Sequence, residues 1–316
     1  MTIAFTFPGQ GSQVVGMGKA LADAFPAAKA VFDEVDSALS QKLSVLMWEG
    51  PETDLTLTAN AQPALMAVSM AVVALLKAEH GITVANTAKF VGGHSLGEYS
   101  ALAAAATFSL SDTARLLRIR GNTMQSATPV GVGAMAAILG LDFADVAAVA
   151  KEAAQGDICQ AANDNSSGQV VISGHKAAVD RACDLAKVKG AKRAILLPVS
   201  APFHCALMKP AADAMAEALM NVTMKAPSVP LIANVVAGPI SDPVEIRKRL
   251  VEQVTGTVRW RECVGFMATQ GVKLFCEVGT GKVLTGLLKK NAPEAQGLAI
   301  GTPDDIAAAA AILKQG

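Results

Sequence analysis

The chain of 316 residues is 52% hydrophobic with a mean hydropathy of +0.38, which suffices for one large domain or for a large and a small one. Its 27 Lys and Arg residues balance 27 Asp and Glu residues, so its net charge favours neither nucleic acid nor an anionic membrane as a partner. Five dispersed cysteines without a CxxC pair predict reduced thiols, no metal site and a cytoplasmic location.

The first part of the chain alternates apolar strand patterns with helical ones. The predicted elements are strand Ile3–Phe7, helices Met17–Ala24 and Ala27–Leu39, a long helix from Pro63 to about His80, strand Lys89–Gly93, helix Tyr99–Ala106, and a helix capped by Ser111 and Asp112 that runs to about Met124. The apolar run at 64–76 is shorter than the about 20 residues of a membrane span, so we expect a buried helix and no membrane contact.

The pattern changes after Thr128 and Pro129. The next predicted elements are strand Val132–Leu139, helix Asp142–Gln155, strands Ile158–Ala162 and Gln169–Ser173, helix Lys176–Lys189 and strand Arg193–Val199. This β-α-β-β-α-β order is that of a ferredoxin-like unit. We therefore predict a small subdomain at 129–199, inserted into a large domain formed by 1–128 and 200–316.

Helices and strands alternate again after residue 200. The predicted elements are Leu207–Met220, Leu231–Val235, Val244–Thr255, Glu262–Gln270, Val272–Glu277 and Val283–Lys290, with a terminal helix around 307–311. Strands that alternate with helices form a mainly parallel sheet covered on both faces. The predicted fold class is therefore α/β.

The segment Gly93-His94-Ser95-Leu96-Gly97 fits the G-x-S-x-G pattern of a nucleophile elbow. A strand that turns abruptly into a helix leaves its corner residue strained and exposed, and side chains two residues away would collide there. The helix that follows would direct free backbone N–H groups at the serine. Ser95 is thus a candidate nucleophile; the alternative is a glycine-rich turn with an incidental serine.

A serine nucleophile needs a base, and the chain has four histidines. His80 falls in a last helical turn and His175 at a helix start, while His94 is expected to pack beneath the elbow because neighbouring residues point to opposite faces. His204 remains; it lies between a strand and a helix, where open α/β sheets place their sites. No aspartate stands out as a third member, and a backbone carbonyl could orient the imidazole instead.

Two further features could complete a site. Arg120 precedes Gly121 on a predicted helix, and near a nucleophile its guanidinium would bind a carboxylate on the acyl group; the alternative is a surface arginine. The loop Pro8–Gln13, PGQGSQ, follows the first strand and frees N–H groups for an oxyanion or a phosphate. Many such glycine loops are only turns.

Taken together, these motifs resemble the malonyl-CoA:acyl-carrier-protein transacylases that load fatty-acid synthases and related polyketide systems. The resemblance spans nearly the whole chain and depends on segments in a fixed order: FTFPGQGSQ at 5–13, GHSLGEYSAL at 93–102, RGNTMQ at 120–125, GAMAAILGL at 133–141, NSSGQVVISG at 165–174, LPVSAPFHCALMKPAA at 197–212 and EVGTGKVLTGL at 277–287.

The resemblance implies an α/β-hydrolase-like core with an inserted ferredoxin-like subdomain and assigns roles to particular residues. Ser95 is the implied nucleophile and His204 its base, the backbone N–H groups of Gln10 and Leu96 bind the oxyanion, and Arg120 binds the free carboxylate of malonate. The main-chain carbonyl of Gln253 is implied to orient the histidine, in a loop that departs from the commoner pattern by carrying Thr257 in place of proline.

The resemblance also implies substrates and partners. Malonyl-CoA is the expected donor, and the phosphopantetheine thiol of an acidic acyl carrier protein is the acceptor in a ping-pong cycle that supplies fatty-acid elongation. No permanently bound cofactor is expected, and we predict a monomer. Lys189, Lys192 and Arg193 are the residues proposed to dock the carrier, against the alternative of solvated surface lysines.

Three alternatives stay open at this point. A serine thioesterase or hydrolase would share the elbow, with water in place of the second thiol. A catalytically silent carrier-binding module would share the fold. A related acyltransferase for another carboxyacyl-CoA, such as methylmalonyl-CoA, would share the carboxylate-binding arginine; Phe203 and the compact SAPF stretch favour the smaller malonyl group.

Overall fold

The strands of the protein form two separate sheets. A computed structural model describes residues 1–314; the last two residues of the predicted large domain lie outside the described residues. In chain order the strands are β1 Ile3–Phe7, β2 Phe90–Gly93, β3 Gly133–Leu139, β4 Cys159–Ser166, β5 Gln169–His175, β6 Arg193–Leu196, β7 Leu231–Ala233, β8 Gly238–Ile240, β9 Leu274–Val278 and β10 Gln296–Ile300.

The larger sheet has six strands in the order β10-β9-β1-β2-β7-β8, all parallel except β8, which pairs antiparallel with β7. Its central strand β1 is buried on both faces because alternate side chains enter different apolar clusters. Phe5 and Phe7 join the largest cluster, whereas Ala4 joins a second cluster on the opposite face. This two-sided burial is what a mainly parallel α/β sheet requires, and the predicted fold class is confirmed.

Helices cover both faces of this sheet and pack against the smaller one. They are α1 Lys19–Ala24, α2 Pro26–Leu39, α3 Leu43–Glu49, α4 Glu52–Thr56, α5 Thr58–His80, α6 Val84–Thr87, α7 Gly97–Ala104, α8 Leu110–Ser126, α9 Phe143–Ala154, α10 Lys176–Val188, α11 Lys209–Met220 (after a 3₁₀ turn at Ala206–Met208), α12 Pro243–Thr255, α13 Trp260–Thr269, α14 Val283–Asn291 and α15 Pro303–Leu313.

Helix α5 is the central helix of the larger part of the molecule. It begins at Thr58 and not at Pro63, which lies inside the helix, so the prediction that proline marks the first turn was wrong. Its length and composition would allow it to cross a membrane, but 72% of its most apolar stretch is buried inside the molecule. We interpret α5 as a core helix, packed between α2 and α8.

The smaller sheet has four antiparallel strands in the order β4-β5-β3-β6, with α9 and α10 packed against it. This is the ferredoxin-like arrangement that the element order predicts. All four strands fall inside the predicted segment 129–199, whose exact boundaries stay a prediction. The strand predicted to end at Val199 ends at Leu196, and residues 197–203 continue as an irregular connection into the larger part of the molecule.

Other departures from the predicted elements have local causes. Helix α8 is capped by Ser109, whose hydroxyl accepts the Asp112 N–H at 3.0 Å, and not by Ser111. Asp142 occupies the N-cap of α9 without a capping side-chain bond. Five elements have no counterpart among the predicted ones, because short segments carry too little periodicity to be recognised; these are α3, α4, α6, β8 and β10.

Candidate active site

The elbow lies where β2 ends and α7 begins. Ser95 has a backbone φ of 55°, in the left-handed region that non-glycine residues rarely occupy. A Cβ atom on Gly93 would lie 1.9 Å from the Gly97 carbonyl oxygen, and one on Gly97 would lie 2.3 Å from the Phe7 carbonyl oxygen. Neither position admits a side chain, so both glycines of the motif are required by the backbone.

Strand order brings three loops to one edge of the large sheet. Because β1 and β2 are parallel neighbours, with Phe7 opposite Gly93, the loop after β1 and the elbow after β2 leave the sheet side by side. Strand β7, on the other side of β2, is followed directly by Asn234. The carboxyl edge of a parallel sheet is where α/β proteins build their sites.

Ser95 and His204 form a hydrogen-bonded pair. The distance from Ser95 Oγ to His204 Nε2 is 2.7 Å, and His204 Nδ1 lies 2.8 Å from the backbone carbonyl oxygen of Gln253. Since a carbonyl only accepts, Nδ1 carries a proton and donates it, which leaves the Nε2 lone pair facing the serine hydroxyl. Within residues 1–314, the group that orients the imidazole is this carbonyl and not a carboxylate.

The environment of His204 keeps its imidazole neutral. The side chain is buried, and burial together with the nearby positive charge of Arg120 lowers the pKa of His204 to about 3. The hydrogen bond to Gln253 opposes this shift. A neutral imidazole at physiological pH is able to accept the proton of a serine hydroxyl.

Arg120 is a buried residue of the site and not a surface arginine. Its side chain is on α8 and is 1% exposed. One terminal nitrogen donates to Ser95 Oγ at 3.2 Å and to Gln253 Oε1 at 2.9 Å, and the other donates to Gln62 Oε1 at 2.7 Å. The guanidinium also lies over the Tyr99 ring, 5.7 Å from its centroid. A cation held this close to the Ser95 hydroxyl is suited to binding an anionic group of a molecule that enters the site.

The other two arginines of α8 lie outside the site. Arg115 pairs with Asp112 at the surface, and Arg118 donates to Asn60 and Gln41. Their difference from Arg120 follows from the helical period, which turns position 120 toward the core.

Gln10 and Leu96, whose backbone N–H groups the resemblance assigns to an oxyanion hole, both line the cleft beside Ser95. Among the described residues, neither N–H has a hydrogen-bond partner. The Gln10 side chain is held by α5, since its Oε1 accepts from Thr58 Oγ1 at 2.8 Å. Unpaired backbone N–H donors in two residues that line the same cleft as a serine hydroxyl have the chemistry that an oxyanion hole requires.

His94 is a residue of the elbow and lines the cleft, which departs from the expectation that it packs beneath the elbow. Its Nε2 is 2.8 Å from Asn165 Oδ1, and its ring meets Trp260 edge-on at 5.9 Å. Burial lowers its pKa. No hydrogen bond joins His94 to Ser95 in the described part of the chain. His80 and His175 lie at a helix end and a helix start, as predicted.

A cleft of about 480 Å³ opens onto the Ser95–His204 pair between the two sheets. The larger part of the molecule contributes the elbow, Arg120 and the loop at Gln10. The smaller part contributes Met135 and Asn163, and the connection between them contributes residues 197–199. In residues 1–314 no group of three or more His, Cys, Asp or Glu side chains is arranged to hold a metal ion.

Three polar residues of the site were missed by sequence reasoning. Gln62, Asn234 and Glu98 are buried and hydrogen-bonded to site residues. A signal was present for Glu98, since it is the one charged residue in the alanine-rich helix after the elbow. Such a helix has no polar face toward solvent, so a carboxylate on it is expected to be buried and paired. Gln62 and Asn234 carry no such signal because amides are common in loops and helices.

The fold and site define a class of protein: an α/β enzyme with a serine–histidine pair at a nucleophile elbow and a buried arginine beside it. The acyl transferase domain family matches residues 4–302, and this chain belongs to that family. It is therefore a transferase.

Individual relatives match over nearly the full length of the chain. The malonyl CoA-acyl carrier protein transacylase of Bacillus subtilis (strain 168) is 48% identical over 314 residues, which cover 99% of this chain and 98% of the relative. The crystal structure of an acyl-carrier-protein-S-malonyltransferase from Bartonella henselae is 58% identical with a TM-score of 0.97, covering 99% of this chain and 100% of that one. A malonyl-transacylase in complex with its type II PKS acyl-carrier protein is 42% identical with a TM-score of 0.95, and all of both chains is covered.

Proposed function

We propose that this enzyme moves a malonyl group from coenzyme A to the phosphopantetheine thiol of an acyl carrier protein through an acyl-enzyme on Ser95. The observation that carries the proposal is the contact of Arg120 with Ser95 Oγ at 3.2 Å, because it puts a buried cation next to the reacting atom. The names of the full-length relatives, which are malonyl transacylases, support the same substrate.

In the first half of the proposed reaction, His204 Nε2 takes the proton of the Ser95 hydroxyl as Oγ attacks the thioester carbonyl carbon. The carbonyl oxygen becomes an oxyanion, which accepts hydrogen bonds from the backbone N–H groups of Gln10 and Leu96. The C–S bond then breaks, and the sulfur of coenzyme A takes the proton from His204. The products are malonyl-Ser95 and free coenzyme A.

In the second half, the phosphopantetheine thiol gives its proton to His204 and its sulfur attacks the serine ester. The C–O bond to Ser95 breaks, and Oγ takes the proton back. The two half-reactions use the same groups in opposite order, so ping-pong kinetics are expected. The cycle needs no resident cofactor.

Arg120 is proposed to select the acyl group. The free carboxylate of malonate is two carbons away from the thioester carbon, within reach of a guanidinium that already contacts Oγ. Gln62 and Gln253 accept from the same guanidinium and hold its orientation. An acetyl group has no carboxylate and would leave this buried cation without an anionic partner, so malonyl is favoured over acetyl.

The proposed carrier partner is supported by the relative solved with its acyl-carrier protein. Of the three basic residues suggested for docking, Lys189 is paired with Glu152 at 2.6 Å, whereas Lys192 and Arg193 have no ion-pair partner among the described residues. An acidic carrier would meet Lys192 and Arg193 first. The docking surface, the monomeric state and the cytoplasmic location all remain proposals.

Intact-protein mass after brief mixing with malonyl-CoA tests the proposal, beside acetyl-CoA and the variants Ser95→Ala and Arg120→Ala. We expect a malonyl adduct on the wild type, none on Ser95→Ala, and little acetyl adduct. Arg120→Ala should lower the malonyl acylation rate by about 10²-fold or more, because it removes a buried charge from beside the reacting atoms. Accumulation of free malonate without an adduct would instead indicate a hydrolase, and a methylmalonyl adduct formed faster than malonyl would indicate a related acyltransferase.

A further inference from the structure

Glu98 is a buried carboxyl group that the reaction above does not use. It lies in the first turn of α7, three residues after Ser95, and is 1% exposed. Burial raises its pKa, while hydrogen bonds from Asn234 and Gln253 and the charge of Arg120 favour the ionised form and oppose the rise. A carboxyl group is costly to bury, so its contacts indicate what it does there.

The first contact of Glu98 leads to the nucleophile. Its Oε1 accepts the backbone N–H of Asn234 at 2.6 Å. The Asn234 side chain in turn accepts the Ser95 N–H at 2.8 Å and donates to the Gly93 carbonyl at 2.7 Å. Asn234 therefore holds the strained backbone of the elbow on both sides of His94.

The second contact of Glu98 leads to the base and to the arginine. Its Oε2 accepts from Gln253 Nε2. The same Nε2 donates to the Ser95 carbonyl at 2.9 Å, Gln253 Oε1 accepts from Arg120, and the Gln253 backbone carbonyl accepts from His204. One glutamine thus contacts all three groups that the proposed reaction needs.

We propose that Glu98 is a positioning residue that fixes Asn234 and Gln253 relative to each other. Ser95, His204 and Arg120 thereby keep their relative positions. This inference rests on the proposed function for the identity of the reaction. Both carboxyl oxygens face N–H donors, and a protonated carboxyl group would set its O–H against one of them, so the ionised form, which only accepts, is the form that matches these contacts.

The isosteric change Glu98→Gln breaks that match without opening a cavity. The new amide would place its NH₂ group against one of the two donors, either the Asn234 backbone N–H or Gln253 Nε2. Gln253 could restore the contact only by flipping its own amide, which would turn its NH₂ toward Arg120 and its oxygen toward the Ser95 carbonyl. Each arrangement leaves a donor facing a donor, so the site residues must shift apart.

The test compares Glu98→Gln with Glu277→Gln. Glu277 is also 1% exposed, but it caps α14 by accepting from Leu284 and Thr285 and is outside the site. For each folded variant we would measure Tm, the acylation rate at saturating malonyl-CoA, the malonyl-to-acetyl preference, and the rate at which phenylmethylsulfonyl fluoride labels Ser95. Labelling by this sulfonyl fluoride requires the serine–histidine pair but does not require recognition of a malonyl group.

We expect Glu98→Gln to lower the saturating acylation rate and the sulfonyl fluoride labelling rate by about 10- to 100-fold, because displacements of about 1 Å at reacting groups have effects of this size. The malonyl preference should fall as well. Glu277→Gln should lower Tm and keep both rates. Equal rates in the two variants, or wild-type rates in Glu98→Gln, would overturn the inference and leave Glu98 with a structural role alone.

Two further arms separate the possible failures. If the wild type forms no malonyl adduct, the proposed function fails, and the labelling rates still decide whether Glu98 positions the serine–histidine pair. If Glu98→Gln does not fold, Asn234→Ala interrupts the same path one residue further on. A folded Asn234→Ala variant with the wild-type labelling rate would then contradict the inference, and a 10-fold or larger decrease would support it.

Discussion

Ser95 and His204 share an unusual backbone conformation, with φ angles of 55° and 58°. Such conformations cost about 1–3 kcal/mol for a residue with a side chain and persist only where surrounding contacts maintain them. Both residues have these contacts: the Ser95 N–H is held by Asn234, and the His204 imidazole is held by Gln253. Backbone strain is thus present at both residues that are proposed to react.

The lowered pKa of His204 predicts an unusual pH dependence. With a pKa of about 3, compared with 6.5 for an unperturbed histidine, the imidazole is neutral and able to accept a proton throughout pH 5 to 7. We expect the rate of Ser95 labelling by uncharged phenylmethylsulfonyl fluoride to stay level over this range. Ser95→Ala serves as the control and should take no label. A rate that falls with a midpoint near 6.5 would show that burial does not lower the pKa of His204.

At the scale of the elements, the position of Arg120 depends on how closely α8 approaches α5. The two helices meet at Gly121, where a Cβ atom would lie 2.6 Å from Ala59 Cα and 2.7 Å from the Thr58 carbonyl oxygen. This close crossing brings the Arg120 guanidinium within reach of Gln62 on α5 and of Ser95. Gly121 therefore acts through packing rather than through a turn.

Gly121→Ala is expected to be destabilising, although alanine is the better helix former. The added methyl group overlaps backbone atoms of α5, and overpacking of this kind costs about 1–3 kcal/mol of unfolding free energy. Gly286→Ala on α14 is the matched control, because its added Cβ meets nothing within 4 Å; it should gain about 0.5–1 kcal/mol from helix propensity. Urea denaturation measures both. The same sign for the two variants would contradict the proposed contact.

At the scale of the whole molecule, the cleft exists because the two sheets are joined beside the elbow. Strand β4 of the small sheet meets the loop before α13 through Asp164 N–H to the Val258 carbonyl at 2.9 Å and Val258 N–H to the Ala162 carbonyl at 2.9 Å. The buried Asp164 carboxylate pairs with Arg261 at 2.8 Å. These contacts hold Asn163 of the small sheet at the cleft wall.

Removing Arg261 should weaken this junction in a pH-dependent way. Arg261→Ala leaves the Asp164 carboxylate without its charged partner, which we expect to cost about 1–3 kcal/mol of unfolding free energy near pH 8. Burial already raises the pKa of Asp164, and Arg261 opposes that rise. Without Arg261 the pKa of Asp164 rises further, so the variant loses unfolding free energy as the pH increases. The difference in unfolding free energy between wild type and variant therefore shrinks toward pH 5.

Denaturation at pH 5 and pH 8 measures this effect, with Arg115→Ala as the control. Arg115 is half-exposed and pairs with Asp112 on the surface of α8, so its removal should cost at most about 0.5 kcal/mol, with little change between the two pH values. A deficit in Arg261→Ala that is equal at both pH values would mean that the Asp164 charge is not what the arginine stabilises.

Much of this architecture is determined locally and could be predicted from the sequence. Ser95 is recognisable because the sharp turn leaves no space for a Cβ atom at Gly93 or Gly97. This requirement for glycine comes from the turn itself and is therefore visible in the sequence. The α/β class and the ferredoxin-like unit follow from element order, because period and strand–helix alternation are properties of the chain. Short elements such as α4 and β10 could not be found, since their residues alone do not distinguish them from loops.

What the tertiary structure decided is which polar groups meet. Arg120 could have been a surface arginine by sequence; its burial depends on the crossing of α8 with α5 at Gly121. The contacts of Glu98 with Asn234 and Gln253 join residues 136 and 155 positions apart. No local pattern encodes such pairings, because a buried hydrogen bond forms only when separate elements have packed and excluded water from both partners.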